Sequence, residues 1–187
     1  QTITMGAFLL TVPGVHNAGN ILLNLGDNSR LGTSGLGNSM TWPKTGGDDY
    51  LYLGGLWIGA TVSGQNRVMN LHYSETDWRR TPSTPFTLSP GISSQDGIVT
   101  YDDQLAASPA IGLRVLQRSY QWADTTRDDF VILKYTVTNT GLNGNLDSVF
   151  VGLWLDPDVP TTFSKNAVCY DASRNLMYQS DSSKTGG

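Results

Sequence analysis

Cysteine occurs once in this chain, at Cys169, glutamate once, at Glu75, and histidine only at His16 and His72. A lone cysteine excludes an internal disulfide and any cysteine-rich zinc site; it can pair between chains in a secreted protein, but a buried, inert thiol is the favoured reading. The histidines form no His-Glu-x-x-His pair, and no Gly-x-Ser-x-Gly elbow is present, so neither a zinc hydrolase nor an α/β-hydrolase nucleophile is encoded. A glycosidase needs only two carboxylates, but the aspartates gather at predicted turns, where they bend and cap the backbone. Charge is scarce too: charged residues make up 15%, the net charge is −4 and the pI about 4.9. Arg79-Arg80 is the only basic doublet, so no stripe exists to neutralise phosphates, and nucleic acid is excluded as a partner. No apolar run approaches the roughly 20 residues of a membrane span. The reading is a non-enzyme.

What is present is β-structure. With 187 residues, 39% hydrophobic content and 21 glycines, the chain suits one turn-rich domain. The clearest stretch runs from Thr126 to Asp158. Val131, Leu133, Tyr135 and Val137 fall on one side of an alternating strand, and Val149, Val151, Leu153 and Leu155 on one side of a second. The Gly/Asn loop between them predicts an antiparallel hairpin with one buried face.

Along the rest of the chain, residues 1–14 read as an N-terminal strand with Ile3, Met5, Ala7 and Leu9 on one face, stopping at Pro13-Gly14. Such a strand either pairs within its own domain or donates itself to the sheet of the next subunit. Residues 15–49 hold one apolar segment, Ile21–Leu25, among turns. The glycine-rich run from Gly32 to Gly37 lacks the lysine ending and the following helix of a phosphate loop and reads as surface. Tyr50–Val62 is a strand interrupted by glycines, turning at Ser63–Asn66 into Arg67–Tyr73. Residues 74–97 read as a long ordered loop of the kind used in binding or assembly. Asp102-Asp103 open the only helical turn expected, and Ile111–Trp122 is a strand whose change of phase predicts a bulge near Gln117–Ser119. Ala167–Tyr170 and Asn175–Tyr178 flank a compact turn, and 181–187 form a polar tail. The fold class is all-β: an antiparallel β-sandwich, immunoglobulin-like or jelly-roll-like, over residues 15–180, with long loops.

Two sets of residues are candidates for a ligand. Asp156 and Asp158 at a strand end, with Asp171 on a nearby loop, are the oxygen donors that calcium prefers, the one cofactor considered. Trp42 and Trp78, read as loop residues beside Arg79, fit either an interface anchor or a carbohydrate-stacking platform. The strand tryptophans Trp57, Trp122 and Trp154 read as packing.

Four segments bear a family resemblance: Leu53–Gly64 with Arg67-Val68, Gln117–Asp124 with Asp129–Gly141, Val151–Asp158, and Tyr170–Tyr178. They resemble, in the same order over about residues 50 to 180, a β-rich module of large secreted and cell-surface proteins of Bacteroidetes and Ignavibacteria type. Such proteins are often cargo of type IX secretion. The resemblance implies an exported module and brings no catalytic residue with it. The opening Gln1 matches what signal-peptide removal leaves, so the expected location is extracellular or at the cell surface. The function expected is that of a structural subunit of a fibre or surface layer, whose partners are copies of itself joined through residues 1–12, with the 74–97 loop as a second contact. A carbohydrate- or surface-binding module and an accessory domain of a secreted hydrolase are the alternatives.

Overall fold

A computed structural model describes residues 14–32, 39–72, 75–81, 84–104, 106, 109–159 and 165–182. The strands in chain order are β1 (Gly14–His16), β2 (Leu22–Leu25), β3 (Met40–Trp42), β4 (Asp48–Asp49), β5 (Leu51–Val62), β6 (Gln65–Met69), β7 (Leu71–His72) and β8 (Glu75–Thr76). They continue as β9 (Arg79–Arg80), β10 (Thr87–Ser89), β11 (Gln95–Asp102), β12 (Leu113–Gln121), β13 (Ile132–Asn139), β14 (Asp147–Pro157), β15 (Asn166–Asp171) and β16 (Leu176–Asp181). The fold is an all-β antiparallel sandwich. Ile3, Met5, Ala7 and Leu9 lie outside the described residues.

One layer joins the run β1-β2-β3-β4 to the run β14-β5-β6 through bridges of Leu31 to Leu25 and to Gly54. The other has the order β10-β11-β12-β13, with β9 also on β11. Between them lies a continuous core that includes Leu56, Ile58, Ala60 and Val62 of β5 with Val99, Tyr101, Leu113 and Val115. The alternation that marks β5 and β12 as strands is thus the alternation that fills the core. Gly55 allows β7 to pass close by: a Cβ there would lie 2.7 Å from Leu71 Cβ. Ser63 and Gly64, both at positive φ, turn β5 tightly into β6, where the sequence places the turn.

Four expectations are corrected. Strands β13 and β14 do not pair with each other: β13 pairs with β12 and β14 with β5. The connecting loop crosses between layers because it is tied to the segment before β12. Thr140 donates from N and Oγ1 to Gly112 O, and Asn143 Nδ2 donates to the carbonyls of Ala110 and Ile111.

Strand β12 has no bulge, since its register runs unbroken from Arg114 to Gln121 on β11 and from Leu113 to Tyr120 on β13. Its inward face instead changes from apolar to polar, with Gln117, Ser119 and Gln121 buried. Tyr120 and Trp122 sit on the other face, where Trp122 meets Phe130 and Arg127.

The segment 74–97 is not one long loop. Its described residues include β8, β9, β10 and the start of β11, and Trp78 and Phe86 enter the core.

Asp102 ends β11 instead of opening a helix. The buried Asp103 carboxylate accepts from the amides of Ile111, Gly112 and Leu113 at 2.7, 3.0 and 2.8 Å. That bond set uses the side chain to launch β12, a role that aspartate spacing does not reveal.

Candidate functional site

The most unusual surface of the molecule is β14. Val151, Leu153 and Leu155 stand opposite Ile58, Leu56 and Gly54 of β5, and Val149 falls in the register shift before Phe150, yet all four remain 47–57% exposed. The reverse face carries Phe150, 73% exposed, and Trp154. A strand apolar on both faces is the pattern of a strand buried within a sheet. Here it is 11 residues long and lies at the end of its run, where among the described residues it pairs with β5 alone.

Strand β13 ends the opposite layer on the same side of the sandwich. Val137 and Asn139 of β13 line a cleft of about 410 Å³ with Leu113, Leu146, Val149 and Val151. The two edges differ in protection. On its exposed side β13 presents Lys134, Thr136 and Thr138, the polar or charged residues that discourage edge pairing, whereas no charge interrupts Ser148–Leu155.

The apolar surface continues beyond β14. Among the described residues the β15–β16 hairpin pairs only with itself, and it exposes Val168, Tyr170, Leu176, Met177 and Tyr178. Ten of the eighteen large exposed hydrophobics of the described residues fall between Val149 and Tyr178. They are thus concentrated on two elements, β14 and the β15–β16 hairpin.

The tryptophan pair is not brought together. Trp78 is fully buried, its Nε1–H donating to Leu56 O at 3.0 Å and its ring meeting Tyr101 edge-on at 5.6 Å. A core acceptor and a facing aromatic draw it inward, and it cannot serve a surface platform. Arg79 is exposed and donates to the carbonyls of Thr76 and Trp78, so it braces its own segment. Trp42, by contrast, is on β3 and 44% exposed, with its Nε1–H held by Asp129 Oδ1 at 2.8 Å.

The three aspartates also part company. The Asp171 carboxylate is used by its own turn: it accepts from Ser173 and Arg174, whose guanidinium lies 2.6 Å away, and these bonds hold its pKa below the usual range. Asp158 is pushed the other way, first by burial and then by the charges of Asp156 and Asp49. Asp49 is itself engaged with the amides of Ser39 and Met40. Among the described residues no three His, Cys, Asp or Glu side chains come together as a metal-binding group. Asp156, Asp158 and Asp171 are therefore not a shared calcium site in this arrangement.

One serine–histidine pair does form. His16 Nε2 lies 2.7 Å from Ser119 Oγ, with both residues buried. Burial depresses the His16 pKa to about 4, against smaller upward pulls from Gln95 and Asp96. The hydroxyl has no open face for a substrate, so the pair ties β1 to β12. No described helix is long and apolar enough to cross a membrane.

Neither protein-family models, nor curated proteins, nor solved structures give a match to this chain.

Proposed function

We propose that this chain is a non-enzymatic extracellular structural subunit that assembles into a fibre or surface layer by β-strand addition. The edge that receives the strand is β14, and the strand it receives is residues 1–12 of a neighbouring copy. The observation that carries this reading is the long strand at the sheet edge, uncharged from Ser148 to Leu155 and apolar on both faces. Backbone groups on a free strand edge supply affinity, and the alternating side chains of the incoming strand supply register.

The donor has matching chemistry. Residues 1–12 contain no charged side chain, alternate Ile3, Met5, Ala7 and Leu9, and stop at Pro13, which has no amide proton to give a ladder. At roughly 3.3 Å per residue, twelve extended residues span about 40 Å, enough to run the length of β14. The alternate apolar side chains would then cover Val149, Val151 and Leu153 and fill the cleft toward Val137. A contact between the start of one copy and the edge of the next is heterologous, so it propagates.

Export and a surface location belong to the same proposal, and the resemblance of residues 50 to 180 to secreted modules supports them. The burial of the His16–Ser119 pair supports a role without catalysis.

Electron microscopy of the full chain beside a variant lacking residues 1–12 tests the proposal. Filaments or sheets are expected from the full chain only, with the shortened chain folded and able to bind a synthetic peptide of residues 1–13. Monodisperse monomers from the full chain would overturn it, and would mean that the segment serves its own subunit.

A further inference from the structure

We propose that the end of the sandwich carrying Trp42 binds a neutral polysaccharide, with the Trp42 indole as the stacking surface and Asp129 as the hydroxyl acceptor. This does not depend on the assembly reading, since β14 contributes nothing to it.

The site is built from three connected loops. Asn20 N donates to Asp128 O at 2.8 Å, Lys44 N to Asn20 O at 2.7 Å, and Lys44 Nζ to Asn17 O at 2.9 Å. Asp129 Oδ1 accepts both Trp42 Nε1–H and Asn20 Nδ2–H, at 2.8 and 2.9 Å, and the Trp42 bond leads in holding its carboxyl below the ordinary range. Tyr50 meets the indole edge-on at 6.4 Å. The ring is thus fixed from its nitrogen edge and by a neighbour while it remains substantially exposed. Holding a side chain in its bound rotamer beforehand removes the cost of ordering it on binding.

The composition favours a sugar over a protein. A pyranose offers a flat C–H face rimmed by hydroxyls, so it needs an apolar plane with acceptors at its border. Trp42 is such a plane, and Asp129 Oδ2 has no partner among the described residues. Asp48 lies opposite Trp42 on β4, at a second exposed position. Next to Asp129 in the chain, the exposed Phe130 packs on Trp122 at 5.8 Å. A protein partner would have to bury this carboxylate, at a cost that only a matched cation offsets. Sugar hydroxyls donate to it while keeping its solvation largely intact. Asp48, Asp128 and Asp129 outnumber Lys44 here, which disfavours an acidic polymer.

Isothermal titration of the full chain with water-soluble xylan, mixed-linkage β-glucan, galactomannan and dextran is the test. Binding to at least one is expected, abolished by Trp42→Ala and weakened roughly tenfold by Asp129→Asn, about one hydrogen bond to a charged group. Asp129→Asn keeps an acceptor for the indole, so it decides the matter if Trp42→Ala fails to fold. Phe150→Ser on β14 should bind like the parent. No heat with any of the four polymers, or binding untouched by Asp129→Asn, would overturn the proposal.

Discussion

His16 Nε2 and Ser119 Oγ are 2.7 Å apart across 103 positions of sequence, and burial leaves the imidazole neutral, with its pKa lowered from 6.5 to about 4. Because the folded value lies below the unfolded one, the stabilisation is complete above pH 6.5 and drains away as pH falls through 4. The whole effect is on the order of 3 kcal/mol. Urea midpoints measured from about pH 7.5 down to about pH 4.5 should decline. His16→Gln should flatten that decline, and a slope indifferent to the substitution would refute the assignment.

Replacing Asp103 by Ala should cost about 3 kcal/mol or more, because three buried amides lose one charged acceptor together. Asp103→Asn should recover part of it, since an amide oxygen accepts but its nitrogen faces a donor. Denaturant unfolding of the three proteins gives the ranking. Equal midpoints would show that the carboxylate is dispensable.

The two tryptophans should respond in opposite ways. Trp78→Ala removes a fully buried ring and should cost about 3–5 kcal/mol. Trp42→Ala loses one exposed hydrogen bond and should cost about 1 kcal/mol. Thermal melts of both variants check the contrast.

On β14, Val151→Lys and Leu153→Lys should change the stability of the isolated subunit by less than about 1 kcal/mol, since both positions are half exposed. Each should abolish assembly seen by sedimentation. The matching change Thr136→Lys on β13 should leave assembly intact. If β13 proves the sensitive edge, the acceptor has been placed on the wrong layer.

Period-two alternation made β5, β12, β13 and β14 legible as strands, because a half-buried strand imposes that spacing on its side chains. Alternation assigns faces and says nothing about neighbours, so the pairing of β14 with β5 in place of β13 was not readable. The phase change in β12 was visible, but its cause was polar burial and not an extra residue. Ser119 and Gln121 find partners about a hundred residues away, at His16, Ala18 and Ile21. Trp42 and Trp78 look alike in sequence, and only the Leu56 carbonyl and Tyr101 ring distinguish them. Part of the β14 signal was within reach: Phe150 and Trp154 make its second face apolar too, the mark of a strand meant to be covered on both sides.

Gln117, Ser119 and Gln121 also decide how β12 finds its place. Sliding a strand by two residues returns every inward side chain to the inside, so the facing of the strand alone does not forbid it. Here the slide would break three attachments at once: Gln117 with Tyr101, Ser119 with His16, and Gln121 with Ala18 and Ile21. A slide one way puts Val115 in the place of Gln117, Gln117 in that of Ser119 and Ser119 in that of Gln121, so each partner meets a side chain of different length or chemistry. The polar pins index the layer to a single notch, so misaligned versions are separated from the native sheet by discrete steps.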